Sequence, residues 1–204
     1  MKILLATGNP HKAAEIASIL THFDGVDVVT LREIERDIPE PIEDGLTLEE
    51  NAYIKAREIH NATGLPTLAD DTGLEVDALD GAPGVHSARY AGDDATYADN
   101  CAKLQRELGA KKSEPRTARF RTVMCFVDAH RTLFAEGSVE GEIIAKPKGD
   151  AGFGYDPLFV PHGATHTFAE MSADEKNAIS HRGRALAQLR SILEPYFADA
   201  LESQ

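Results

Sequence analysis

Cysteine is scarce in this chain: only Cys101 and Cys125 occur, with no CxxC pair and no partner at metal-ligand spacing. That excludes a disulfide-stapled secreted scaffold and a cysteine-held zinc site, so both thiols are expected to be reduced core residues. Long apolar runs are missing too. The opening Met1-Lys2 leads through a short apolar stretch into a Gly-Asn turn, too short for a signal sequence or a bilayer span, and a cytoplasmic protein is expected. Basic charge is in deficit: 21 Lys and Arg against 34 Asp and Glu leave a net charge of -13. Such a surface disfavours broad adhesion to nucleic acid or anionic membranes, and neither is expected as a partner. A small anionic ligand would need local basic groups or a metal ion to reverse that field, which makes cations in glycine-containing loops informative. No internal repeat, low-complexity tract or linker-like shift in composition divides the 204 residues, which suffice for one large domain or two intimately packed lobes.

What is present reads as a mixed α/β pattern. Residues Lys2 to Ala6 form an apolar strand, followed by Thr7-Gly8-Asn9-Pro10 and a helix with Ala13, Ile16, Ala17, Ile19 and Leu20 at helical spacing. Asn9 is a natural N-cap and Pro10 suits the first helical position. A second strand is expected over Asp27 to Leu31 and an irregular segment over Ile38 to Asp44. Thr47 with Glu50 predicts a capping box opening a helix whose apolar face carries Ala52, Ala56, Ile59 and Ala62. Pro66 to Ala69 then runs into Asp70-Asp71-Thr72-Gly73, after which Leu74, Val76 and Ala78 alternate as in a half-buried strand. A helix over Thr96 to Leu108 follows, then two longer strands over Arg119 to Ala129 and Thr132 to Ile144, and a strand-like Pro157 to Val160. Helices are expected to begin at Ser172 and Ser180, the last with an apolar stripe of Leu186, Leu189, Leu193 and Phe197.

Four groups of residues can carry chemistry. The first is Thr7 to Lys12, where a glycine-containing turn brings N–H groups to a helix N-terminus that attracts phosphate. Lys12 opposes the helix dipole, which is better explained if it shares an anion with those N–H groups. Neither the Walker A pattern nor GxGxxG is present, so an ordinary strand-to-helix connection stays open. The second is acidic: Glu43, Glu50, Asp70 and Asp71 can hold magnesium or accept a proton from water, although Asp70 to Gly73 also fits a simple turn. The third is Gly152-Phe153-Gly154-Tyr155-Asp156-Pro157, in which glycines allow close approach and the rings can stack on a base or pin the loop. The fourth, Lys176, Ser180, His181 and Arg182, offers donors to phosphate or base oxygens, or a solvated helix cap. Lys55, one turn after Asn51, can reach the site from the helix that carries Glu50.

In this order, the segments ATGNPHK, EDGLTLEENA with Lys55, LADDTGLEVDAL, GAPGVHSARYAG, GFGYDP and EKNAISHRG resemble the Ham1-like family of inosine/xanthosine triphosphate pyrophosphatases. The likeness runs from the first strand to the last helix. It implies that residues 1–204 form a single α/β domain with an elongated central mixed β-sheet flanked by helices, two lobes around a deep nucleotide-binding cleft, and commonly a homodimer. It also implies that Thr7, Gly8, Asn9, Pro10, His11 and Lys12 contact the triphosphate. Glu43 and Asp71 would bind Mg2+, and Asp71 would act as proton acceptor, with Asp70, Glu50 and Lys55 in support. Thr72, Phe153, Gly154, Tyr155, Asp156, Lys176, His181 and Arg182 would bind substrate. Position 72 is often serine in the family; threonine keeps the hydroxyl and adds a methyl. The expected reaction converts ITP, dITP or XTP to the monophosphate and pyrophosphate. A Maf-like pyrophosphatase acting on modified pyrimidine nucleotides and a nucleotide sensor without turnover are the alternatives.

Overall fold

The computed structural model describes residues 2–20, 26–34, 38–111 and 113–202, with side chains as far as Glu194. Strand β1 (Lys2–Leu5) buries Ile3, Leu4 and Leu5 and pairs in parallel with β2 (Asp27–Thr30). The second strand stops one residue early because the Glu33 carboxylate accepts the Thr30 N–H at 2.7 Å and closes a single 3-10 turn over Leu31–Glu33. Helix α1 (Pro10–Leu20) starts where its cap predicts: Asn9 Oδ1 accepts the N–H groups of His11 and Lys12 at 3.0 and 3.4 Å.

Residues 38–45 are irregular, as their prolines and carboxylates suggested. Helix α2 (Leu48–Thr63) carries the predicted Thr47–Glu50 capping box and ends at Gly64, whose φ of 73° is left-handed. Its buried face differs from the expected one. Ala62 is exposed, while Asn51 and Lys55 are buried beside Ala52, Ala56 and Ile59.

The larger correction concerns Asp70 to Gly73, which do not turn: β3 (Thr67–Val76) runs through them as one ten-residue strand. Asp and Gly favour turns for local reasons, but here buried cations meet the carboxylates, so pairing overrides local preference. Ala78 lies past the strand in a 3-10 turn over Asp77–Leu79. After the two-residue β4 (Pro83–Gly84) come α3 (Tyr97–Ala110), β5 (Thr117–Val127) and β6 (Thr132–Ile143), the long strands expected. Asp156–Leu158 form a 3-10 turn, so β7 (Phe159–Pro161) begins two residues later than predicted. Helix α4 (Ala173–Ile179) is capped by Ser172 and Glu175, and α5 (His181–Glu202) follows directly.

The strands form a mixed sheet in the order β2-β1-β3-β5-β6-β7, with β4 antiparallel on β3. The chain divides into two compact units. Unit 1 comprises Met1–Asp71, Thr122–Gly137 and Arg182–Gln204; unit 2 comprises Thr72–Arg121 and Ser138–His181. The core of unit 1 joins Ile3, Leu5, Ile16, Leu20, Leu68, Met124 and Phe126 to the predicted stripe Leu186, Leu189 and Leu193; Phe197 lies outside the described side chains. Unit 2 has its own core, with Leu104 and Leu108 of α3 against Phe120, Val139, Phe159 and Phe168. Cys125 is fully buried and Cys101 half-buried, and burial pushes their thiols up to about 12 and about 11, as unreactive core thiols require. Among the described residues no helix is long and apolar enough to cross a membrane.

Leu189 is completely enclosed in the unit 1 core. Leu189→Ala is expected to cost about 2–5 kcal/mol in urea unfolding with an unchanged m-value, and a cost below about 1 kcal/mol contradicts the packing described.

Candidate functional site

Unit 1 gathers its polar groups around α1 and β3. The turn after β1 is held by Thr7 Oγ1, which accepts the Asn9 N–H at 3.2 Å, leaving Gly8, Pro10 and His11 exposed at the start of α1. Lys12, in the first turn, meets an anion, but an internal one: its Nζ lies 3.3 Å from the Asp70 carboxylate. Burial, then the charges of Lys55 and Arg182, holds the Lys12 ammonium below its ordinary 10.5 against the opposing pull of Asp70 and Asp71.

Asp70 and Asp71 are adjacent in β3, and successive side chains of a strand point to opposite faces. Their direct partners divide accordingly. Asp70, wholly buried, takes Lys12 and Arg182 Nη2, the latter at 3.1 Å. Arg182 Nη1 also binds Glu15 of α1. The Arg182 side chain is 1% exposed, and although burial opposes its charge, Asp70 and Glu15 hold its pKa above the usual value. The guanidinium expected to face substrate therefore ties three elements together, with Glu15 as a partner that the sequence reading did not single out.

On the other side of the strand, Asp71 Oδ2 accepts from Asn51 Nδ2 at 3.2 Å, and Oδ1 lies 3.5 Å from Lys55 Nζ. Lys55 Nζ also donates to Glu43 Oε2 at 2.9 Å. Two carboxylates from a loop and a strand thus converge on one cation. The Asp71 main-chain carbonyl is fixed by Thr122 Oγ1 at 3.0 Å. Burial raises the Asp71 carboxyl above its ordinary 3.8, the Glu43 charge adds to the rise, and Lys55, Lys12 and the Asn51 hydrogen bond only partly offset it. Lys55 shows the reverse balance: burial pulls it down, but Asp71, Asp70 and Glu43 bring it above 10.5.

Two residues expected in support, Glu50 and Asp70, have close partners of their own. The Glu50 carboxylate accepts the N–H groups of Leu46 and Thr47 at 2.6 and 3.1 Å, so it serves the cap of α2. Asp70 pairs directly with Arg182 and Lys12, and its charge also acts on Lys55. Among the described residues no set of three or more His, Cys, Asp and Glu side chains is arranged to hold a metal ion; the Glu43–Asp71 pair supplies two oxygen donors.

Unit 2 contains the second set. The buried Asp156 carboxylate accepts the Phe153 N–H at 2.9 Å and Lys176 Nζ at 2.6 Å. Gly152, with φ of 73°, passes so close to that carboxylate that a Cβ would collide with it. Lys176 also faces the rings of Phe153 and Phe168 at 4.9 and 5.6 Å, a cation–π arrangement. Tyr155 belongs to the core, with its O–H donated to the Ser87 carbonyl at 2.9 Å, so its ring is not a free stacking surface. Phe153 is the partly exposed ring of that loop and touches Tyr97, a neighbour not anticipated from sequence. Gly154 lies in the same loop, where its carbonyl receives the Cys101 thiol at 3.4 Å. His181 is buried and stacked on Phe120, with centroids 4.8 Å apart and planes at 15°. Ser180 is the buried C-cap of α4, and Thr72 follows Asp71 in β3, half-buried.

The chain is a mixed α/β protein in which Glu43 and Asp71 converge on Lys55, and Lys12 in the first turn of a helix meets Asp70. The chain belongs to the Ham1 family, whose family model matches residues 3–192. It is 50% identical over 194 residues to a dITP/XTP pyrophosphatase of Porphyromonas gingivalis, covering 94% of this chain and 97% of that one. A dITP/XTP pyrophosphatase of Lactobacillus acidophilus is 48% identical over 196 residues, covering 94% and 96%. Among solved structures, a HAM1 protein from Coxiella burnetii matches with a TM-score of 0.86 at 42% identity, covering 96% of this chain and 99% of that chain. The Staphylococcus aureus Ham1 protein matches with a TM-score of 0.83 at 36% identity, covering 96% and 100%.

The buried Arg182 pair gives one test. Arg182→Met strands two acidic groups and is expected to destabilise the protein by about 3–5 kcal/mol in denaturant titrations; full stability with only weakened nucleotide binding would contradict the role described. Asp71 gives another. A carboxyl whose folded pKa is raised favours the folded state below its unfolded value, and that contribution is lost as pH rises through the folded value. Without divalent cations, Asp71→Asn should therefore melt at a higher temperature than the parent at neutral pH. The gap should close as pH falls towards 3.8, and a variant no more stable at neutral pH contradicts the assigned burial.

Proposed function

We propose that this protein is a nucleoside-triphosphate pyrophosphatase that hydrolyses the non-standard purine nucleotides ITP, dITP and XTP to the monophosphate and pyrophosphate. Relatives about half identical over nearly the whole chain bear the name dITP/XTP pyrophosphatase. The observation that carries the chemistry is the convergence of Glu43 and Asp71 on a single cation, Lys55 Nζ, at 2.9 and 3.5 Å.

That geometry fits Mg2+, which is commonly held by one or two carboxylates with phosphate oxygens and waters completing its shell. Glu43 and Asp71 would be its protein ligands. When bound, it neutralises charge on the phosphate oxygens. Lys12 and the N–H groups at the start of α1 take the triphosphate, stabilising the charge that builds on the leaving oxygens. Asp71, held in place by Asn51 and Lys55, orients a water and takes its proton. The water oxygen bonds to a phosphorus of the α–β bridge, the bridging P–O bond breaks, and pyrophosphate leaves. Arg182 and Glu15 act indirectly, by holding Asp70 and with it the Lys12 side chain.

Base recognition is assigned to the loop around Asp156. Lys176, positioned by Asp156, donates to a purine 6-oxo group, and Phe153 offers a ring for stacking. An adenine amino group would set donor against donor, a mismatch that polar sites reject strongly. Guanine shares the 6-oxo group, so its discrimination lies at the 2-amino side. In this reading the chain works as one domain, as a cytoplasmic homodimer acting on free nucleotides, and its net charge of -13 favours that over nucleic acid or membrane partners.

Pyrophosphate release with magnesium from ITP, dITP and XTP, beside ATP, GTP, dTTP and CTP, tests the proposal. The first three are expected to exceed ATP in kcat/KM by roughly 100-fold or more, with Asp71→Asn removing nearly all turnover. Flat or pyrimidine-biased activity overturns the substrate assignment, and binding without release overturns the enzymatic one.

A further inference from the structure

Asn51 is 1% exposed on the face of α2 that otherwise buries Ala52, Ala56 and Ile59. A buried amide is tolerated only when its polar atoms are satisfied, and here each end has a specific partner. The Gly45 N–H donates to Asn51 Oδ1 at 2.9 Å, and Asn51 Nδ2 donates to Asp71 Oδ2 at 3.2 Å. The amide cannot be reversed without setting donor against donor at Gly45 and acceptor against carboxylate at Asp71, so the two bonds fix each other's sense. Gly45 lies two residues after Glu43, in the irregular segment that no strand or helix holds. It is also close-fitted: a Cβ at position 45 would lie 2.7 Å from Asn51 Oδ1 and from Glu50 Cβ.

We propose that Asn51 is a positioning residue that sets the distance between the Glu43 and Asp71 carboxylates, clamping the Glu43 loop with its oxygen and the Asp71 side chain with its nitrogen. The inference rests on the reading that these two carboxylates share a divalent cation. One comes from a rigid strand and the other from a segment without regular structure, so their separation needs a common reference. Asn51, on the rigid helix between them in sequence, supplies it. A helix cap does not account for the arrangement, since Thr47 and Glu50 already complete the capping box of α2.

The test is binding of Mn2+ to the nucleotide-free protein, followed by electron paramagnetic resonance, with the kcat and KM of the magnesium-supported reaction measured alongside. Asn51→Ala is expected to weaken Mn2+ binding by about 10- to 100-fold and to lower kcat in similar proportion, leaving the KM for nucleotide little changed. Gly45→Ala acts on the other end of the clamp, outside the core, and is expected to shift both readouts in the same direction, so the inference stays testable if Asn51→Ala fails to fold. Glu43→Gln and Asp71→Asn in the same titration separate the two readings. If neither of them weakens Mn2+ binding, the shared-cation reading fails. If both do, while Asn51→Ala and Gly45→Ala bind Mn2+ as the parent does, the positioning role is overturned, whatever those variants lose in thermal stability.

Discussion

The polar half of unit 1 depends on one buried ion pair, Arg182 with Asp70. Each ion loses several kcal/mol of hydration on burial, and a single contact does not return that reliably. Here the guanidinium has a second carboxylate in Glu15, and the carboxylate a second cation in Lys12. Satisfying all four charges requires α1, β3 and the first turn of α5 to meet at one point. That requirement explains why β3 runs straight through a sequence that favours a turn, and why α5 begins where it does.

Once Asp70 is committed to that network, the alternation of the strand turns Asp71 to the other side. The neighbours then acquire opposite properties. Asp70 lies between two cations, whereas Asp71 shares Lys55 with Glu43 and carries a raised pKa from its own burial. A carboxylate that is costly to ionise destabilises the protein and is for the same reason a better proton acceptor.

Unit 2 solves the problem of a buried cation differently. Lys176 meets the Asp156 carboxylate and two aromatic faces, Phe153 and Phe168. The loop can wrap Asp156 because Gly152 has no Cβ to obstruct it. His181, stacked on Phe120, is part of the same aromatic core. The aromatic residues that suggested base stacking are mostly structural, and Phe153 is the ring that the loop leaves partly open.

Sequence by itself determined the local features: the Asn9 cap and start of α1, the Thr47–Glu50 and Ser172–Glu175 capping boxes, the long strands β5 and β6, and the apolar stripe of α5. Each depends on residues within a turn or two, or on a periodicity that a single element imposes. The polar residues that gather at the site were also visible as types, because glycine turns, paired acids and isolated cations stand out in an acidic chain. Which of them meet was a tertiary matter. Nothing local distinguishes a turn from a strand at Asp70 to Gly73, or marks Arg182 as the partner of Asp70 across 112 residues. Nor does anything local commit Glu50 to a cap or bury Asn51 against Asp71. Those outcomes follow from desolvation, which forces every buried charge and amide to find a partner, and the partners are chosen by the packing of distant elements.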